Sequence, residues 1–199
     1  RTGQRWTQRP CADLSDVQAT QSEGSAQAAW TDPSTGLKLR MTLQIEPDRP
    51  EFTLALSAEG KLDTPLRFPH PFVSEPGAYL VVPMNEGISY PVQDQSPEIA
   101  PRRLIAYGGH GICMAFWGVT DGERGHMAII ETADDAAIRI DRLDGLLYIA
   151  PEWDAQKGAF GYERKLRYCF FDRGGHVALC KRYRTYARQQ GLLKTLEEK

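Results

Sequence analysis

Long apolar runs are missing from this 199-residue chain. None approaches the roughly twenty residues that a bilayer-crossing helix needs, and no membrane partner is expected. The amino end, RTGQRWTQRP, has neither an initiator Met nor a signal-peptide core, so the numbering is expected to start inside a longer chain. Composition assigns no compartment. A surplus of one charge is missing too: 24 Lys and Arg against 26 Asp and Glu leave a formal charge of −2, which offers no broad footprint for nucleic acid, and no nucleic-acid partner is expected. Cysteine is scarce. Cys11, Cys113, Cys169 and Cys180 show no C-x-x-C spacing and no His at ligand distance along the chain, so neither a metal site nor a cofactor is expected. Surface carboxylates are numerous, but no spacing among them indicates structural calcium. Cys113 and Cys169 lie in apolar runs and read as buried free thiols rather than a disulfide framework. No Ser-centred elbow and no phosphate-binding loop occurs.

What is present is short-range alternation. In Leu37-Lys38-Leu39-Arg40-Met41-Thr42-Leu43-Gln44-Ile45 apolar and polar residues take turns without a fault, and residues 52–58 repeat the pattern after a turn, which predicts an antiparallel hairpin over 37–58. Residues 1–24 are polar and read as weak strands or a loosely docked lead-in. Residues 66–68 make a short strand running into Pro69-His70-Pro71. The apolar run 78–83 predicts a strand covered on both sides, and residues 85–101 a long polar loop. Strands follow over 104–107, 112–119, 126–131, 137–141, 146–151 and 165–171, with Asp121-Gly122 as a hairpin turn. Many short strands at this spacing indicate an all-β, antiparallel two-sheet sandwich forming a single domain over 1–199. Near the carboxyl end the period changes to 3.6: Val177, Cys180, Tyr183, Tyr186 and Ala187 form a helical stripe stopped by Gly191. Lys181, Arg182, Arg184, Arg188 and Lys194 read as its solvated face. Residues 176–199 are expected to be a connector helix and linker toward a following domain.

Three stretches carry a family resemblance. Tyr79-Leu80-Val81-Val82-Pro83 with Glu86-Gly87, Ala115-Phe116-Trp117-Gly118-Val119-Thr120-Asp121-Gly122, and His126-Met127-Ala128-Ile129-Ile130-Glu131-Thr132 resemble the amino-terminal sandwich of glycoside hydrolase families 101 and 129, the endo-α-N-acetylgalactosaminidases and α-N-acetylgalactosaminidases. Residues 157–168, Tyr183-Arg184-Thr185-Tyr186-Ala187 and residues 191–196 resemble the join to a (β/α)₈ barrel. The resemblance covers 65–199, and 1–64 by strand pattern alone. It implies a galactose-mutarotase-like supersandwich, a carbohydrate substrate, and a barrel of the same parent chain that supplies nucleophile and general acid. No catalytic residue carries over to this sequence.

Glycoside hydrolysis needs two carboxyl groups flanking the scissile bond. On an extended backbone Glu152 and Asp154 would point one way and Trp153 the other, so an aromatic stacking face and two hydroxyl acceptors stand side by side as a carbohydrate-contact candidate. The alternative is a surface loop with its Trp packed on the core. Glu86 and Tyr90, in the polar stretch Asn85-Glu86-Gly87-Ile88-Ser89-Tyr90, are a second candidate, able to reach into a partner barrel's site or merely to form a turn. Trp117 reads as core. Among His70, His110, His126 and His176, the pairs His126–Glu131 and His110–Glu86 would suit sugar ring opening by general acid and base, though sequence gives them no shared geometry. Three functions follow in order: a non-catalytic glycosidase sandwich bracing its barrel and shaping the cleft, a stand-alone carbohydrate-binding module with Trp153 and Tyr90 as platforms, and an aldose-1-epimerase-like enzyme.

Overall fold

The computed structural model describes residues 9–107 and 111–194. In chain order the elements are β1 (Ser15–Ser22), β2 (Ser25–Asp32), β3 (Leu37–Ile45), β4 (Glu51–Glu59), β5 (Leu66–Arg67), β6 (Tyr79–Val82), β7 (Ile88–Pro91), β8 (Arg102–Ile105), β9 (Phe116–Thr120), β10 (Gly125–Ile130), β11 (Ala136–Leu143), β12 (Leu146–Trp153), β13 (Arg164–Phe171) and α1 (Gly175–Gln189). Two sheets result, one of nine strands in the order β1-β2-β3-β4-β13-β10-β9-β6-β7 and one of four, β5-β12-β11-β8. Every pairing between these strands is antiparallel.

The predicted alternation places the core between the sheets. Leu54, Leu56, Leu80, Trp117 and Leu166 of the large sheet meet Ile138, Ile140, Leu147, Ile149 and Trp153 of the small one. Each such burial contributes about 1.5–3 kcal/mol. The hairpin over 37–58 forms as expected, with Leu39 opposite Ala58 and Met41 opposite Leu56.

A second apolar layer lies on the outer face of the large sheet. There Phe116, Met127, Ile129 and Cys169 pack beneath Leu179 and Tyr186 of α1, with Tyr183 alongside. This explains why Met127-Ala128-Ile129-Ile130 is apolar without alternation: Ala128 and Ile130 face the other sheet, Met127 and Ile129 face the helix. Gly118 lets α1 seat closely, since a Cβ there would lie 2.0 Å from Leu179 Cδ2. Arg182 of α1 adds a two-point ion pair to Glu51, Nε and Nη2 donating at 2.6 and 2.7 Å.

Of the two readings of residues 1–24, weak strands or a loosely docked lead-in, the strand one holds over 15–22, an edge strand paired to β2 with Asp16 at φ 53 and a register shift between Ser15 and Gln18. Four expectations need correction. Tyr79 is 41% exposed, so β6 is not covered on both sides throughout. The polar stretch 85–101 contains β7, hydrogen-bonded to β6 around a turn in which Asn85 and Gly87 have positive φ. Strand β9 starts only at Phe116, so Cys113 falls in an irregular segment and is exposed, whereas Cys169 is buried. The helical stripe is rotated: Val177 is 47% exposed and Cys180 is exposed, while Leu179 takes the buried place, because the groove above Gly118 and the Glu51–Arg182 pair set the helix's roll. The helix docks on its own sheet. Residues 195–199 and His110 lie outside the described residues.

Two arginines fasten loops. Arg142 donates to the carbonyls of Asp94, Ser96 and Ala100, holding the segment before β8. Arg164, fully buried, donates to the carbonyls of Asp134, Asp154 and Phe160 and stacks 3.5 Å from the Tyr162 ring centroid, tying together the loops before β11 and β13.

Candidate functional site

Glu152 and Asp154 leave β12 on the same side, as strand geometry requires, onto the outer face of the four-stranded sheet. Arg103, reaching across from β8, binds both: its Nε donates to Glu152 Oε1, and its Nη2 lies 2.7 and 2.6 Å from the two Asp154 oxygens. Arg67 of β5 stands 3.9 Å from Glu152 Oε2 and 3.8 Å from Asp141 Oδ2, and Arg139 Nε is 3.7 Å from that same Asp141 oxygen. Tyr148 accepts from Arg67 Nη1 at 3.5 Å. Burial, with the Asp141 charge beside it, pushes the Tyr148 phenol up. Burial alone would lower Arg103, but its hydrogen bonds to Glu152 and Asp154 outweigh that and raise it. Three cations and three carboxylates thus close on one another.

This arrangement limits what the segment can do chemically. A carboxyl pair working on a glycosidic bond needs the space between its members for sugar and water, and here the Arg103 guanidinium fills it. Glu152 is 1% exposed, beyond reach of a ligand, while the Asp154 side chain is 26% exposed and can still accept a hydroxyl hydrogen bond. Trp153 needs correcting as a stacking platform. It is 1% exposed, with its indole Nε1 donating to the Phe68 carbonyl at 2.8 Å, because period-2 alternation turns the ring inward whenever its two neighbours face out.

Glu86 is exposed on the β6–β7 turn, whose Gly87 amide donates to the Met84 carbonyl at 2.9 Å. Tyr90, in β7, is half-buried against the main core. The structure does not bring Glu86 and Tyr90 together with the Arg103 network into one pocket. Glu86 and Asp154 do lie at the same end of the sandwich, at the exits of β6 and β12, and α1 climbs to that end from the Glu123 carbonyl, which accepts from Gly175 N, to the Ala115 amide, which donates to Tyr183 Oη at 3.2 Å.

The His126–Glu131 pair does not form. Five residues apart on one strand, they face opposite ways: Glu131 accepts from Arg167 Nε at 2.7 Å on the outer face, while His126 sits inside against Phe72 and Phe170 at 5.0 and 6.2 Å between ring centroids. Burial there holds His126 below its ordinary value. Among the described residues no group of three or more His, Cys, Asp or Glu side chains is arranged to hold a metal ion, and no helix is long and apolar enough to cross a membrane.

The sequence reading missed Arg67, Arg103 and Arg139. The alternation Ile138-Arg139-Ile140-Asp141 did announce a charged outer face on β11; that Arg103 would bridge to residues 49 and 51 positions away had no local signal.

With this geometry in view, comparison with solved structures is informative. α-N-acetylgalactosaminidase NagBb from Bifidobacterium bifidum, in complex with Gal-NHAc-DNJ, superposes with a TM-score of 0.79 at 18% identity, over 94% of this chain and 32% of that one. This chain shares the fold of that third of NagBb. The same enzyme with GalNAc gives a TM-score of 0.77 at 18% identity over 92% of this chain and 32% of that one, and its ligand-free form gives 0.71 at 18% identity over 92% and 31%. This chain therefore spans about a third of the length of NagBb. No family model matches the chain, and no curated protein matches it. The antiparallel supersandwich with a carboxyl-terminal helix expected from the sequence is the fold observed.

Proposed function

We propose that this chain is the non-catalytic sandwich domain of a glycosidase acting on α-linked N-acetylgalactosaminyl or related glycans, and that it braces a catalytic (β/α)₈ barrel in the same parent protein. The observation that carries this reading is the near-complete coverage of this chain by a third of NagBb. It is supported by the site geometry: Glu152 and Asp154 are engaged by one guanidinium, and His126 and Glu131 face apart, so neither candidate pair is free to act as acid and base.

The end of the sandwich that bears Glu86 and Asp154 receives the top of α1, and that is the end we assign to the barrel. Glu86 and Asp154 supply the polar groups able to touch a glycan there, and Tyr90 supports the turn from below. Hydrolysis of an aryl α-N-acetylgalactosaminide, measured for residues 1–199 alone and for the parent protein, tests the division of labour: turnover is expected in the parent only, and turnover by the 199-residue chain would overturn it. Glu86→Ala in the parent is expected to raise KM with folding unchanged.

A further inference from the structure

A further open space lies apart from the Arg103 network and from Glu86. On the outer face of the large sheet, beyond the part covered by α1, a trough of about 380 Å³ crosses β1 to β4. One wall is the cross-strand row Thr31, Lys38 and Glu59, the other the row Gln18, Ala29, Arg40 and Ser57. The register puts Trp30, Leu39 and Ala58 between them, with side chains turned to the core, so their backbone makes the floor.

Three of its four charged groups are unspent, the fourth, Asp16, accepting from Ser15 Oγ at 3.4 Å. Among the described residues Lys38, Arg40 and Glu59 take part in no ion pair and no side-chain hydrogen bond, unlike Arg103, Arg167 and Arg182, which are each committed to carboxylates. Two cations, Lys38 and Arg40, face two carboxylates, Asp16 and Glu59, so the trough has no net charge to recruit an ion. It offers donors and acceptors side by side, beside a wall kept low by Ala29 and Ser57. That is the complement of a neutral molecule dense in hydroxyl groups, each of which both donates and accepts. The volume falls in the range of small-molecule sites.

The geometry points to a binding trough for a neutral oligosaccharide on the β1–β4 face. Ser57 and Glu59 follow Leu56, the partner of Arg164 beside Asp154, so the trough would hold a glycan chain toward the barrel end of the sandwich, on the outer face of the large sheet. The site stands on its own geometry, and the choice of first probe alone rests on the proposed glycosidase parentage.

The test is an amide-resolved NMR titration of the full chain with galactosyl-β1,3-N-acetylgalactosamine, and separately with maltotriose and a heparin tetrasaccharide, to about 10 mM each. A neutral sugar is expected to shift amides of β1 to β4 selectively with a dissociation constant of about 1 mM. Arg40→Ala and Ser57→Leu, the latter filling the trough, are each expected to weaken binding at least about tenfold with the remaining spectrum unchanged. Maltotriose binding without galactosaminyl binding would keep the trough and count against the parentage. No shift on β1–β4 with either neutral sugar, tighter binding of heparin than of both, or binding indifferent to both substitutions would overturn the proposal.

Discussion

The two halves of the nine-stranded sheet share one hydrogen-bonded ladder and one core, yet their outer faces are unlike. Over β9, β10 and β13 that face carries Phe116, Met127, Ile129 and Cys169 and is roofed by α1; over β3 it carries Lys38, Arg40, Thr42 and Gln44 and has no helix above it. The same backbone architecture thus serves in one half as interior and in the other as surface, and only the second character in each alternating pair decides which. Burial also sets chemistry: beneath the helix, the Cys169 thiol is pushed up to about 12, mainly by loss of solvent, and Tyr186 likewise to about 12.

Substitutions on the two halves should separate sharply. The largest effect is expected for Phe116→Ala, which opens a cavity between β9 and α1 and should cost about 3–5 kcal/mol in urea unfolding. Thr42→Ala, on the open half, should stay within about 0.5 kcal/mol, and a comparable loss at both positions would erase the distinction. Next comes Glu51→Ala, which strands Arg182 beneath the helix and should cost about 3 kcal/mol. Glu51 is held below its ordinary value: burial acts to raise it, but the Arg182 hydrogen bonds and the Arg182 and Arg167 charges prevail. Its stabilisation is therefore complete above the unfolded value near 4.5 and should fade as pH drops through the lower folded value, a fade absent in Glu51→Gln.

Smaller again is Gly175→Ala. At φ 52, with a Cβ due 2.4 Å from the Gly122 carbonyl, it should cost about 1–2 kcal/mol and loosen the start of α1, read by hydrogen exchange over residues 176–179. The smallest effect concerns the inner face. His126 is depressed by burial, so the unfolded chain takes up a proton first as pH falls below about 6.5. Stability should decline from there until the folded value is passed, and His126→Phe should flatten that slope.

Much of this was legible beforehand, for a definable reason. Residues 37–58 alternate because one face is wet and the other dry, and pairing is local, so pattern and neighbour are both in view. The Asp121-Gly122 turn between β9 and β10 is equally local. Legibility failed where the deciding partner was remote. Leu179 rather than Val177 faces the sheet because of Gly118 and Glu51, both far upstream. Glu152 and Asp154 were found as a same-side pair, but Arg103 decides their fate, and Trp153 between them belongs to the core. Cys113 was placed in a strand because its neighbours are apolar; the backbone there instead turns so that its amide donates to the Pro83 carbonyl at 2.6 Å. The trough on β1–β4 had no sequence signature at all, since it is built from three separate cross-strand registers.

The kink in β1 has a consequence for life in a concentrated solution. With Asp16 in a left-handed conformation and the pairing slipped between Ser15 and Gln18, the outermost strand cannot offer an unbroken row of amides and carbonyls to a stranger. Edge-to-edge pairing with a second copy is thereby discouraged, and the open end of the sheet is kept from becoming a seed for fibrils.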